Sequence, residues 1–204
     1  MPKRKPSADR ILEAAETVFA RHGYGETSLR QLMSGARVST TAFYARFRSK
    51  EEVLRALVLR LLEELEAKAR VELAKAETLA DGFGRGVDVL FEVLAPKRHL
   101  VRILLTEAAA SPDVTRALGD LYAGLATFLA GRFDALVSGG SALDTDALAW
   151  SVVGALNMQV ARWAVFEHVS TDALRRTLHA TAKAFLPAIS RSGVRKKRAR
   201  KIAS

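Results

Sequence analysis

The chain has 204 residues, with 32 Lys and Arg against 22 Asp and Glu, a formal net charge of +10 and no cysteine. That length suits one or two domains with a sizeable core, and the lack of cysteine excludes a disulfide framework, thiolate nucleophiles and thiolate metal sites. The longest apolar run falls well short of the roughly 20 residues that span a bilayer, and the basic start Met1-Pro-Lys-Arg-Lys-Pro6 leads into the mixed Ser7-Ala-Asp-Arg-Ile11, so a soluble chain without a secretory signal is expected.

Ser7 is a candidate N-cap with Asp9 in the first turn, and Ile11, Leu12, Ala15, Val18 and Phe19 recur at helical spacing until Gly23, predicting a helix over about 8–22. Thr27 or Ser28 caps a second helix to about Gly35, and Ser28 with Gln31 has the spacing of a capping box. Ser39 caps a third, about Thr40 to Arg46. Leu29, Leu32, Met33 and Ala36 form an inward stripe on the second helix, and Phe43 and Phe47 form another on the third. Thr40, Thr41, Tyr44, Ala45 and Arg46 are left outside. Two short helices with a tight turn, apolar inside and small polar residues outside, make a helix-turn-helix whose second member fits the major groove of DNA.

Ser49 caps a long fourth helix from Lys50 to about Lys75, free of Pro and Gly and rich in Leu, Glu, Ala, Arg and Lys, well suited to joining two domains. Further helical runs are expected at about 78–94, 98–110, 113–137, 144–168 and 171–190. They are separated at Pro96, Ser111-Pro112, Ser138-Gly-Gly-Ser141 and Ser170. No period-two alternation marks a strand, so the fold class is all-α with about nine helices. Trp150, Val153, Leu156, Asn157, Val160 and Ala164 form one stripe, with Gly154, Met158, Ala161 and Val165 beside it. A helix apolar over so much of its circumference packs on two sides, and the simplest second side is a twofold partner.

Charge divides along the chain: residues 1–50 carry +6, residues 191–204 carry +7 and the middle carries −3. Basicity at both ends suits a phosphate-binding surface, since each neutralised phosphate releases counterions, although a solvated charge run has the same composition. The run Arg191 to Lys201 has almost nothing apolar and is expected to be disordered when free.

Gly23-Tyr24, Thr27-Ser28, Leu32, Ala36, Val38-Ser39, Phe43-Tyr44 and Phe47-x-Ser49-Lys50 resemble the amino-terminal domain of the tetracycline-repressor (TetR) family of bacterial transcription regulators, over about residues 8–55. Arg37 stands where the family commonly has Gly, and Thr40-Thr41 where it often has Lys-Gly. The resemblance implies that Thr27 or Ser28, Tyr44 and Lys50 hold phosphates, that Arg30, Thr40, Thr41 and Ala45 lie near base edges, and that Arg46 serves either purpose. With Ser39 at the head of the recognition helix, these form the expected DNA-contacting set. Threonine and alanine methyls suit thymine methyls, and Arg30 suits guanine.

The resemblance also implies a homodimer through helices 144–168 and 171–190, a pseudo-palindromic target, and release from DNA by a small molecule. Phe83, Phe91, Leu104, Leu121, Leu125, Phe128, Trp150, Asn157 and Trp163 are the candidate pocket lining, for an apolar or amphipathic ligand. The expected organisation is a DNA-binding domain over 1–50, an effector-binding and dimerisation domain over 51–190, and a basic tail over 191–204. Action in the cytoplasm, at the nucleoid, follows. The alternative is a ligand-independent, architectural DNA-binding protein. Four histidines without metal spacing, no His-Glu-x-x-His, no Gly-x-Ser-x-Gly and no phosphate-cradling glycine loop argue against an enzyme, a metal site or a cofactor.

Overall fold

The computed structural model describes residues 6–76, 79–107, 109–136 and 144–180, mostly helix joined by turns, bends and short irregular links, with no strand among them. The helices are α1 (Ser7–His22), α2 (Leu29–Ala36), α3 (Thr40–Tyr44), α4 (Lys50–Leu73), α5 (Leu79–Leu94), α6 (Arg98–Thr106), α7 (Pro112–Leu136) and α8 (Thr145–Ala164), with a 3-10 turn at Ala95–Lys97. Residues 171–180 are helical too and are called α9. The expected continuation of α9 to 190, the break at 138–141, the arm Lys3-Arg4-Lys5 and the basic tail lie outside the described residues.

Side-chain caps set several helix starts. Ser28 Oγ accepts the Gln31 backbone N–H at 3.3 Å, and Gln31 Oε1 accepts the Ser28 N–H at 2.8 Å, so both halves of the capping box are present. Ser39 Oγ accepts the Ala42 N–H at 3.2 Å, Ser49 Oγ that of Glu52 at 3.2 Å, and Asp144 Oδ1 that of Ala147 at 3.0 Å. At α1 the expectation fails: Pro6 is the cap, with no side-chain bond, and Ser7 lies inside the helix. Proline at that position has no N–H to donate and a φ already suited to the helix entrance.

Several helices end earlier than their apolar patterns suggest. α3 stops at Tyr44 because the Arg46 N–H turns back to Phe43 O at 2.8 Å. α8 stops at Ala164, and Glu167 has a left-handed φ of 55°, which interrupts a right-handed helix. α6 stops at Thr106 with Glu107 as its C-cap.

The described chain forms two compact units, one within Met1–Glu63 and Pro96–Gly124 and the other within Glu64–Ala95 and Leu125–Ser204. In the first, α1 packs against α2, α3 and α6, burying Ile11, Phe19, Leu32, Phe43 and Leu104. Val53, Leu54, Leu57, Val58 and Leu61 extend that core along α4. A side chain at Gly124 would run into Leu62, so α7 approaches α4 closely there. In the second, Phe91 and Trp163 pack edge to face with centroids 5.6 Å apart, and Asp88 of α5 binds Arg175 and His179 of α9 at 2.5 and 3.0 Å. No described helix is long and apolar enough to cross a membrane.

Candidate nucleic-acid interface

The first unit presents α3 as an exposed ledge on buried supports. Phe43 and Phe47 are buried, with rings 6.2 Å apart, and Phe43 also meets the Tyr44 ring edge to face at 5.7 Å. These contacts fix the rotation of a five-residue helix too short to be stable alone. With Phe43 inward, Thr40, Thr41, Ala45 and Arg46 are exposed, and Tyr44 is 51% exposed. Arg30 and Ser28 of α2 are exposed as well, and Ser39 lies at the edge with its hydroxyl engaged in the cap.

Two expected contacts are placed differently. Thr27 is only 3% exposed, and its hydroxyl donates to Gly23 O at 2.6 Å. Its side chain is interior, which leaves Ser28 as the surface member of the pair. Lys50 is half-buried: its ammonium donates to Tyr24 O at 2.6 Å and Gly25 O at 3.0 Å and sits 4.5 Å from the centre of the Tyr24 ring. In this arrangement it braces a turn.

That turn is grasped from its other side by residues that sequence reasoning did not single out. Glu107 accepts the backbone N–H groups of Tyr24 and Gly25, each at 3.0 Å, and Tyr24 Oη donates to Asp113 at 3.0 Å. Burial, followed by the bond to Asp113, raises the Tyr24 pKa well above its ordinary value, so the phenol stays protonated and remains a donor. Gly23 has a φ of +78°, and a Cβ there would lie 3.1 Å from Glu107; glycine meets both the backbone and the space requirement. A local signal existed in Gly-Tyr-Gly, but its acidic partner lies 82 residues away.

The turn between α2 and α3 carries the residue that departs from the family pattern. Arg37 is left-handed, with φ 52° and ψ 47°. Its N–H bonds Ser34 O, and the Val38 N–H bonds Met33 O, both at 3.1 Å, the bonding of a Schellman cap. The Arg10 guanidinium from α1 donates to the carbonyls of both Ala36 and Arg37.

The candidate pocket residues are not gathered in either of two open clefts. One, of about 470 Å³, is lined by Asp88, Asp172, Arg175, Arg176, His179 and Ala180; the other, of about 320 Å³, lies beside Arg10 and Arg37. Leu104 and Leu121 are buried in the first unit. In the second, Phe91 and Trp163 are buried against each other, and Trp163 Nε1 donates to Thr171 at 2.8 Å. Phe83, Leu125, Phe128 and Asn157 are half-buried, while Trp150 is 46% exposed on α8. Among the described residues, no group of three or more His, Cys, Asp or Glu has metal-binding geometry.

Residues 11–57 match the model of the amino-terminal domain of the tetR family of bacterial regulatory proteins. The HTH-type transcriptional regulator UidR of Escherichia coli K12 is 26% identical over 128 residues, spanning 63% of this chain and 65% of UidR, just under two thirds of its length. The fold resembles a crystal structure assigned to the TetR family from Syntrophomonas wolfei, with TM-score 0.81, 19% identity, and 89% of this chain and 95% of that one covered. It also resembles the transcriptional regulator FadR of Bacillus subtilis in complex with stearoyl-CoA, with TM-score 0.73, 17% identity, and 86% and 97% covered. These are regulators by name, not enzymes.

Proposed function

We propose that this chain, whose residues 11–57 match the amino-terminal domain of the tetR family of bacterial regulatory proteins, regulates transcription by binding a specific DNA duplex. The observation that carries this reading is the outer surface of α3. Thr40, Thr41, Tyr44 and Ala45 are exposed together on a helix whose opposite side is pinned by Phe43. Small side chains allow close approach to base edges, while Tyr44 and Ser28 suit phosphates and Arg30 a guanine or a phosphate. The charge of +6 over residues 1–50 favours the approach to DNA. The basic tail adds phosphate contacts of no sequence preference.

One such head buries too little surface for tight selective binding, so the active species is a homodimer on a pseudo-palindrome. Its contact is the outer stripe of α8, where Trp150, Ser151, Gly154, Ala155 and Met158 are exposed at helical spacing and Met158 is 57% exposed. Residues 51–190 supply dimerisation and effector binding. The effector is an apolar or amphipathic molecule whose binding releases the DNA, making the protein a repressor in the cytoplasm, at the nucleoid. The stearoyl-CoA complex of the structurally similar FadR supports an amphipathic ligand. The positions of Trp150, Phe91 and Trp163 favour a smaller lining set than the nine residues that the sequence nominates.

Selection of duplexes from a randomised library by the full chain, followed by footprinting on the recovered sequence, tests the reading. The expected result is a recovered pseudo-palindrome protected on both halves. Failure to enrich any sequence overturns specific binding. Enrichment that no acyl-CoA, fatty acid or apolar small molecule reverses favours the ligand-independent, architectural alternative.

A further inference from the structure

We infer that Arg10 is a positioning residue for DNA reading: by holding the carbonyls that close α2, it keeps Arg37 left-handed and fixes the direction in which α3 leaves the turn. The inference rests on the DNA-binding reading, but its geometric half stands independently. A left-handed conformation is costly for a residue with a Cβ, and a turn built on one relaxes unless neighbouring groups hold it. Here the holding group comes from another helix. Arg10 Nη2 donates to Ala36 O at 2.5 Å and also to Arg37 O, the last carbonyl of α2 and that of its C-cap, neither of which has a partner within the helix. A cation also complements the negative end of that helix.

The same turn of α1 reaches the far end of the reading helix. Arg46 Nε donates to Ser7 Oγ at 3.4 Å, so Ser7 and Arg10, one turn apart, touch the chain after and before α3. Asp9, between them, faces Arg60 of α4 at 3.9 Å. The first turn of α1 thus acts as a splint along α3. Arg10 borders an open cleft with Glu13, Thr17, Gly35 and Arg37, so an unbranched apolar side chain replaces it without collision.

The test is a double-variant cycle in the full chain with Arg10→Met and Arg37→Gly, since glycine holds the left-handed turn without help. Binding is measured to the duplex recovered by the unsubstituted chain and to an unrelated duplex of equal length, with a melting temperature for each variant. Arg10→Met should weaken the recovered duplex about tenfold and change the unrelated one less than about threefold, because misdirected α3 loses base contacts before phosphate contacts. In the Arg37→Gly background the further effect of Arg10→Met should fall below about threefold.

Amide hydrogen exchange supplies a readout without DNA. The N–H groups of Arg37 and Val38, which close the turn, should exchange faster in Arg10→Met and regain protection when Arg37→Gly is added. Equal loss on both duplexes, loss that persists undiminished in the Arg37→Gly background, or unchanged exchange at residues 37 and 38 overturns the inference. Failure of the unsubstituted chain to select any sequence instead overturns the DNA-binding reading, and the exchange measurement then decides the turn geometry alone.

Discussion

At position 37 a residue with a Cβ occupies a backbone conformation that glycine adopts freely, at φ 52°. Arg37→Gly should therefore stabilise the protein by about 1 kcal/mol. In a chain of this size that raises the melting temperature by roughly 2–4 °C, readable by circular dichroism. On α3 the exposed residues separate by chemistry. Thr41→Ala removes a hydroxyl available to a base edge, so it should alter the preferred sequence, costing about 1–3 kcal/mol on the selected duplex and little on others. Tyr44→Phe removes an exposed hydroxyl that the proposed reading assigns to phosphate and should weaken all duplexes alike. A Tyr44 variant that changed sequence preference would reverse these roles. Position 37 was legible as an anomaly in the sequence because glycine is the familiar occupant of such a turn. Its compensation by Arg10 was not, because a guanidinium 26 residues away leaves no local pattern.

Among the elements, the capped short helices were the most legible and the braces between helices the least. Ser28, Ser39, Ser49 and Asp144 all cap within three residues, and local bonds leave local signatures. The family resemblance implies that Lys50 holds a phosphate, while in the structure its ammonium donates to two carbonyls in the loop after α1. Thr27 and Ser28 carry the same hydroxyl, and only packing shows which is turned inward. In the second unit, α5 and α9 meet at Asp88. Burial alone raises this carboxyl's pKa, but bonds from His179 and Arg175 outweigh it and hold the group below its ordinary value of 3.8. A carboxyl lowered on folding contributes stability that is present above its unfolded pKa and is lost as pH falls through the folded one. Asp88→Asn should therefore be less stable than the unsubstituted chain at pH 7, with the gap narrowing below about pH 4. Since the pair is partly exposed, the neutral-pH difference should stay under about 1 kcal/mol. Urea midpoints at pH 7 and about pH 3 check both sign and window.

For the whole molecule, the exposed stripe of α8 and the uneven charge carry the predictions. Met158→Glu places a carboxylate where the proposed partner would pack, and sedimentation should show a monomer with helix content intact. A dimer that survives both this change and Trp150→Glu moves the interface elsewhere. Deleting residues 191–204 removes seven positive charges, and should weaken selected and unrelated duplexes similarly while flattening the dependence of affinity on salt. An unchanged slope removes the tail from the contact. The all-helical class was legible because every long run of the sequence has one period. The path of the chain through two compact units was not, since residues 96–124 rejoin residues 1–63 by contacts that no window of sequence spans.

That discontinuity sets an order of events at the ribosome. The Gly23-Tyr24-Gly25 turn is synthesised 82 residues before the glutamate that grips its second amide. At about 5–20 residues per second the emerging head waits roughly 4–16 seconds for Glu107, with two amides and a phenol still bonded to water. Only when α6 and the start of α7 have emerged does the head acquire its last three hydrogen bonds. A nascent chain stalled before that point carries the whole helix-turn-helix in sequence but lacks the clasp on its first turn.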